Sequence, residues 1–171
     1  KQGKVIYTAI DDATRWSYAK AYKTANTKNT LSFLSEVRQR FPEPIQQIRT
    51  DCGTEFANYA VRNYLTAQNI QHRRNTPYCP EENGKIERFH RTLNEKLIRI
   101  HLSPNHSLDE LNYHLALWLH WYNHHKRHRG LGMNGLTPFQ KIQLLTHLKN
   151  VNLTLQCNKI LQFLYQLYQA A

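Results

Sequence analysis

The segment from Thr76 to Ile100 constrains the fold of this chain more than any other stretch of the sequence. Its first part, residues 77–84, contains two prolines and a glycine and is therefore predicted to be a loop. From Lys85 onward, apolar residues recur at steps of three and four, which is the pattern of a helix that buries one face. The predicted buried stripe consists of Ile86, Phe89, Leu93, Leu97 and Ile100. We expect the other face of this helix to meet solvent.

That other face carries a carboxylate and a cation in neighbouring turns. Glu87, Arg91 and Asn94 occur at i, i+4 and i+7, clear of the apolar stripe. For the helix alone, an exposed i,i+4 ion pair between Glu87 and Arg91 is the simpler interpretation. An upstream segment favours a chemical role instead. Residues 45–50 are predicted to form a short strand, Asp51 follows at its end, and 35 residues separate Asp51 from Glu87.

Five segments of the chain match one known pattern. They are TDCGTEF at 50–56, PYCP at 77–80, NGKIERFHRTL at 83–93, WYN at 121–123 and TP at 137–138. Together they resemble the integrase catalytic core of retroviral integrases and of bacterial insertion-sequence transposases, the DDE polynucleotidyl transferases. The resemblance extends over about residues 3–140. It implies an α/β fold of the ribonuclease H-like type, in which helices flank a central mixed sheet. We also expect extra helices at the C-terminus, so that a catalytic core at 1–140 is followed by a helical extension at 141–171.

The resemblance also implies metal-dependent cleavage and transfer of DNA strands. Members of this family hold two divalent ions with three carboxylates, in the order Asp, Asp, Glu. Asp51 matches the second of these and Glu87 matches the third. Two such ions can activate the attacking group and stabilise the leaving oxygen of an in-line phosphoryl transfer. We therefore expect Mg²⁺ or Mn²⁺ at Asp51 and Glu87, because these ions prefer hard oxygen ligands, and no small-molecule cofactor.

The first family aspartate would lie on a strand that precedes Gly3. We therefore expect the first family strand to be missing from this sequence and the core to be incomplete at its N-terminus. In the family that strand is central, between the strands that match Lys4–Ile10 and Ile45–Thr50, so its loss is expected to impair folding and catalysis. Asp11 and Asp12 are candidate substitutes. They match the family's hairpin turn, however, where Asx-type backbone hydrogen bonds are the simpler interpretation.

The charge of the chain favours DNA as a partner. Lys and Arg total 23 and Asp and Glu total 12, so the net charge is +11 with neutral histidines. Such a balance is typical of a protein that binds a polyanion. Phosphate contacts are expected beside Glu87 and on two further basic segments: Lys85, Arg88, Arg91, Asn94, Arg73, Arg74, Lys126, Arg127 and Arg129. The expected partners are transposon ends, target DNA and further copies of the chain.

Two other functions stay open on the sequence. A non-catalytic DNA-binding remnant of a mobile element would account for a missing first aspartate. A nuclease of the ribonuclease H type agrees less well with the motifs Tyr122-Asn123 and Thr137-Pro138, which point to transposases. The histidines His120, His124 and His128 have the helical spacing of zinc ligands, but a basic helix end that faces DNA is the simpler interpretation.

Composition bounds the expected location of the protein. No run of about 18 apolar residues occurs, so no membrane span is expected, and the N-terminus lacks the apolar region of a signal peptide. Cys52, Cys79 and Cys157 are odd in number and far apart, which favours a reducing compartment. A catalytic cysteine is not expected, because the sequence shows no base matched to any of the three. We expect a bacterial cytoplasmic protein associated with the nucleoid.

The whole chain is predicted to alternate strands and helices after an initial hairpin, as in an α/β layer fold. The hairpin joins Lys4–Ile10 to Trp16–Tyr22, and a helix capped by Thr27 or Asn29 runs to Phe41. The later elements are a helix over 56–68, a strand over 70–74, a helix over 108–125 with a capping box at Ser107 and Glu110, a helix with Thr137 as cap and Pro138 as first residue, and an amphipathic helix over 152–171.

Overall fold

The computed structural model describes residues 4–50, 56, 58–74, 84–103 and 105–155. In chain order the elements are β1 (Val5–Ile10), β2 (Ser17–Tyr22), α1 (Thr27–Arg40), β3 (Gln47–Thr50), α2 (Tyr59–Ala67), β4 (Gln71–Arg74), α3 (Gly84–Leu93), a π-helical turn (Asn94–Ile98), α4 (Arg99–His101), α5 (Leu108–His124) and α6 (Pro138–Leu155). The predicted alternation of strands and helices is confirmed. The predicted loop at 77–84 lies outside the described residues except at Gly84, where the prediction is wrong because Gly84 is the first residue of α3. Most of the predicted helix at 152–171 also lies outside the described residues.

The chain divides into two compact units. The first unit comprises residues 1–10 and 17–119, and the second unit comprises residues 11–16 and 120–171. α6 runs through residues 140 and 141 without a break, and the predicted division at that point stays a prediction. Within the described residues, no helix combines the length and the apolarity that a bilayer span requires.

β1 and β2 form an antiparallel hairpin, as predicted, in a register that places Val5 opposite Tyr22. In the connecting turn, one carboxylate oxygen of Asp11 accepts three hydrogen bonds. The donors are the N–H groups of Ala13 and Thr14, at 3.1 and 2.6 Å, and the hydroxyl of Thr14, at 2.7 Å. The Asx-type turn predicted at Asp11 is therefore confirmed, and the turn occupies this oxygen.

β3 and β4 run parallel and are connected through α2. Their register places Gln47 opposite Gln71 and Thr50 opposite Arg74. Beneath this connection lies an apolar cluster of buried residues: Leu34, Val61, Leu65 and Ile70. Within the described residues, the strands therefore form one antiparallel pair and one parallel pair, and no hydrogen-bonded ladder joins β1 to β3.

α1 contributes to a second cluster of buried residues with the hairpin: Tyr7, Tyr22, Phe33 and Val37. Its N-cap is Asn26, so the prediction of Thr27 or Asn29 is wrong. The side-chain oxygen of Asn26 accepts a hydrogen bond from the N–H of Asn29 at 2.9 Å. Asn26 fills this role because its backbone is extended, as an N-cap requires, whereas Thr27 and Asn29 already belong to the helix.

The predicted apolar stripe on α3 is buried at Phe89, Leu93 and Leu97 and partly buried at Ile86, but Ile100 is 63% exposed. The inclusion of Ile100 in the stripe is therefore wrong. The cause is the π-helical turn at Asn94–Ile98, which takes up one more residue than an α-helical turn. Residues beyond it are rotated about the helix axis relative to the pattern of the sequence.

α5 and α6 each begin with a reciprocal capping box. The box at Ser107 and Glu110 agrees with the prediction, as does the role of Thr137 as the cap of α6. The N–H of Ser107 donates to the Glu110 carboxylate at 2.7 Å, and the N–H of Glu110 donates to the Ser107 hydroxyl at 3.2 Å. Thr137 and Gln140 exchange the same two bonds at 3.0 and 3.2 Å, with Pro138 as the first helical residue. The stripe of α5 is buried throughout: Leu111, Leu115, Trp118, Leu119 and Tyr122.

Asn112 of α5 completes the hydrogen bonding of β2. Its side-chain oxygen accepts from the N–H of Ala21 at 2.8 Å, and its side-chain nitrogen donates to the carbonyl of Ala21 at 3.2 Å. Ala21 is buried, so its N–H and carbonyl would be left without hydrogen bonds to water if Asn112 were lost. The amide thus acts as a short substitute for a neighbouring strand.

Replacing Asn112 with Ala is expected to lower the free energy of unfolding by about 1–3 kcal/mol, because two buried backbone groups lose their partner. Urea unfolding followed by circular dichroism measures the change. Asn63→Ala, at an exposed position of α2, is the control and should have little effect. Equal effects of the two substitutions would show that the Asn112 amide adds nothing specific.

Candidate active site and basic surfaces

Glu87 lies in the first turn of α3 and is exposed to solvent. The backbone that carries it is anchored by two contacts within the first unit. The buried ring of Phe89 meets the ring of Trp118 edge to face at 5.6 Å between centroids. His90 Nε2 and the hydroxyl of Thr8, on β1, are hydrogen-bonded at 2.6 Å. The exposed Glu87 carboxylate therefore extends from a helix that is fixed to both the core and the hairpin.

Asp51, the predicted partner of Glu87, follows the last residue of β3 and lies outside the described residues. The end of β3 is held to β4 by a hydrogen bond of 3.0 Å between the Thr50 hydroxyl and His72 Nε2. Burial lowers the pKa of His72, and the cations of Arg74 and Arg62 add to the effect. A neutral imidazole is thus favoured beside the strand end from which Asp51 follows.

Within the described residues, Glu87 forms no ion pair with Arg91. The interpretation of these two residues as an i,i+4 ion pair is therefore wrong. Both side chains are exposed, and an exposed pair gains only about 0–1 kcal/mol, which the entropy of holding two long side chains can cancel. The negative charge of Glu87 is not neutralised from within its own helix by Arg91.

Three groups of predicted DNA contacts lie on described elements. Lys85, Arg88 and Arg91 are exposed on α3, and Asn94 is exposed at the start of the π-helical turn. Arg73 and Arg74 are exposed on β4. In the second unit, Arg127 and Arg129 are exposed, while half-buried Lys126 has its ammonium 5.5 Å from the centroid of the Tyr122 ring. Their contacts with DNA stay predictions.

The zinc hypothesis for His120, His124 and His128 is wrong. The rings of His120 and His124 stack at 4.6 Å between centroids, whereas the His128 ring packs edge to face against Tyr122 at 4.9 Å. Across the described residues, no three histidine, cysteine or carboxylate side chains come close enough to share a metal ion.

The chemistry of Glu87 fits the divalent ion implied by the resemblance. Its carboxylate supplies the hard oxygen ligands that Mg²⁺ and Mn²⁺ prefer, and its exposure leaves room for the waters that Mg²⁺ retains. Asp51 would add a second carboxylate. Cys52 and Cys79 lie outside the described residues, and thiolates suit softer metals.

His128 has a structural role that the sequence did not indicate. Its backbone N–H donates to the Leu136 carbonyl at 3.0 Å, and its backbone carbonyl accepts from the N–H of Gly135 at 2.9 Å. Burial lowers the pKa of the imidazole to about 4, and the cations of Lys126 and Arg15 contribute. Among the described residues, none hydrogen-bonds to its Nε2 atom. The segment after α5 is therefore closed around a neutral histidine.

Acid is expected to destabilise the second unit through His128. In the unfolded chain its imidazole takes up a proton near pH 6.5, but in the folded chain only near pH 4, so the unfolded state binds more protons between these values. The contribution of neutral His128 to the free energy of unfolding is fully present above about pH 6.5 and is lost as pH falls towards 4. Thermal unfolding midpoints across this range measure it.

The variant His128→Phe keeps an aromatic ring beside Tyr122 and removes the titrating group, so its unfolding midpoint should depend less on pH below 6.5. His147→Phe, at an exposed position of α6, is the matched control and should keep the full pH dependence. An unchanged slope in His128→Phe would assign the acid sensitivity to other groups.

Comparison with known proteins gives consistent matches over most of the chain. Residues 1–80 and residues 68–138 each match a family model described as "Integrase core domain". A curated relative, "Putative integrase ORF3" of Spiroplasma virus SpV1-C74, is 30% identical in an alignment of length 166 that covers 84% of this chain and 43% of the relative. The chain thus spans less than half the length of that relative.

Two solved structures show the same fold. The catalytic core domain of BIV integrase is 22% identical, with a TM-score of 0.67 over 86% of this chain and 90% of that chain. The HTLV-2 integrase catalytic core domain, in complex with magnesium and in a trimeric form, is 20% identical, with a TM-score of 0.59 over 79% of this chain and 82% of that chain. The predicted ribonuclease H-like α/β fold is confirmed.

Proposed function

This chain belongs to the integrase core domain family of the retroviral integrase-like superfamily, and from that premise we propose that it cleaves and transfers DNA strands with Asp51 and Glu87 as metal ligands. The family supports a general role in DNA integration or transposition. The observation that carries the finer proposal is the exposed Glu87 on an anchored helix that also carries three exposed cations, with no ion pair between Glu87 and Arg91.

In this mechanism, Glu87 on α3 and Asp51, which follows β3 in the sequence, supply hard oxygen ligands. These carboxylates would hold two Mg²⁺ or Mn²⁺ ions, which would supply activation of the attacking hydroxyl and stabilisation of the leaving oxygen. Arg91 and Lys85 neutralise phosphate charge beside Glu87, and the Asn94 amide offers a hydrogen bond to phosphate or sugar. The magnesium complex of the HTLV-2 catalytic core supports the choice of metal.

Manganese binding tests whether the two carboxylates share a site. Asp51→Asn and Glu87→Gln should each weaken Mn²⁺ binding by roughly tenfold or more, since second-shell changes alone typically cost 10–100-fold. The double variant should lose little beyond either single variant, because residues that serve one site are not additive. Glu95→Gln, at an exposed position beyond α3, is the control. Unchanged affinity in both single variants would refute a shared site.

A non-catalytic DNA-binding remnant is the second candidate function. The net charge of +11 favours DNA binding with or without catalysis, so it agrees with this candidate as well. Such a protein would bind DNA without metal-dependent nicking, so an assay of both properties on the longest reading frame that contains these residues separates the candidates. We further propose that the protein forms homo-oligomers in the bacterial cytoplasm at the nucleoid, and that residues 1–140 are the core.

A further inference from the structure

Three aromatic rings of the second unit contact the ring of His124. The His120 ring stacks on it at 4.6 Å between centroids with planes 28° apart, and the Phe139 ring lies 4.8 Å away at 40°. The Trp16 ring meets His124 edge to face at 5.5 Å. The hairpin turn, the end of α5 and the first turn of α6 each contribute, so the rings form a small platform of Trp16, His120, His124 and Phe139.

This aromatic platform is open to solvent. Phe139 is 40% exposed and His120 is exposed, while Trp16 and His124 are half-buried. The backbone beneath Phe139 is nevertheless fixed, because Thr137 and Pro138 are buried and Thr137 caps α6. A rigid aromatic face that meets water offers a stacking surface with little conformational entropy left to lose on binding.

The charge balance of the second unit favours a polyanion as partner. Residues 111–171 contain no aspartate or glutamate. The only carboxylate side chains of the second unit are Asp11 and Asp12, and one oxygen of Asp11 is occupied by the hairpin turn. Exposed Arg127 and Arg129 belong to the same unit. The complementary partner is therefore a chain of negative charges that also presents flat rings.

We propose that the aromatic platform stacks on unpaired bases of single-stranded DNA, while the cations of the second unit contact its phosphates. Successive bases of a single strand expose their ring faces and stack on aromatic side chains regardless of sequence. A duplex hides these faces, and an acidic peptide lacks them. The inference rests on the proposed function in one respect, namely that DNA is the substrate, and it adds a site for the unpaired strand.

The test compares two fluorescent oligomers that differ only in their bases. An oligothymidine of about 15 nucleotides and an abasic oligomer of equal length carry the same phosphates, so their difference in affinity isolates stacking. By fluorescence anisotropy, the full chain should bind the thymidine oligomer about fivefold to tenfold more tightly. Phe139→Leu should remove most of this preference and leave abasic binding unchanged. Equal affinities for the two oligomers would overturn the proposal.

Three controls make each outcome decisive. Tyr113→Leu removes an exposed aromatic ring of the first unit and should keep the preference. His120→Ala changes an exposed platform residue, where substitutions usually cost little stability, and should reduce the preference. Duplex binding is measured in parallel: its absence would contradict the proposed function, whereas duplex binding without a thymidine preference contradicts only the aromatic platform. A Phe139→Leu variant that loses self-association while keeping the preference would make the platform an interface between copies, which also overturns the proposal.

Discussion

Glu87→Gln is expected to slow metal-dependent cleavage and joining of DNA by about a thousandfold. The substitution keeps the size of the side chain but removes the charge that holds a divalent ion beside the transferred phosphate. Loss of one metal ligand should cost about 4 kcal/mol of transition-state stabilisation, and each 1.4 kcal/mol is a factor of about ten in rate. DNA binding should persist, because the helix that carries residue 87 is anchored elsewhere, by Phe89 and His90.

The assay for this prediction is nicking and joining of linear DNA in Mg²⁺ or Mn²⁺, in the longest reading frame that contains residues 1–171. Glu95→Gln is the matched control, since it makes the same chemical change at another exposed glutamate of the same helical run. It should retain the parental rate. If Glu87→Gln keeps its activity, another carboxylate holds the metal and the assignment of Glu87 is wrong.

The features that the sequence predicted well are those whose energetics are local. The capping box of Ser107 and Glu110 and the Asx-type turn at Asp11 each join groups no more than three residues apart. The stripe of α5 follows from helical periodicity, which operates over the same short range. Residues that are close in the sequence determine these features, and the structure confirms them with only small changes at the ends of the elements.

The features that the sequence missed depend on groups far apart in the chain or on a break in regular geometry. Asn112 bonds to Ala21 across 91 positions, and no local pattern indicates this partner. The exposure of Ile100 results from a π-helical turn, whereas the prediction assumed regular α-helical periodicity throughout. The burial of His128 depends on Tyr122 and on the loop that returns to it. For the candidate site, the sequence indicated the exposed Glu87, while the His90 and Thr8 bond that anchors its helix needed the fold.

Replacing Lys85, Arg88 and Arg91 together with Ala is expected to weaken DNA binding steeply and about equally for all sequences. If each side chain contacts one phosphate, the slope of log affinity against log salt should become shallower by about three units, near 0.9 per contact. At low salt the loss of affinity should exceed a hundredfold, because about a tenfold loss per contact accumulates. Arg91→Ala alone should account for about one unit of slope.

Net charge alone could produce a weaker version of this result, so the control must remove the same charge elsewhere. Lys28, Arg38 and Arg62 are exposed on α1 and α2 of the same unit, and their triple Ala variant has an identical net charge. Affinity titrations over a range of salt concentrations, with two unrelated duplexes, separate the two explanations. Because long-range effects of charge are screened within about 10 Å at 0.1 M salt, only direct contacts should change the slope in one triple variant and not the other. Identical slopes would mean that α3 contributes charge but no DNA contact.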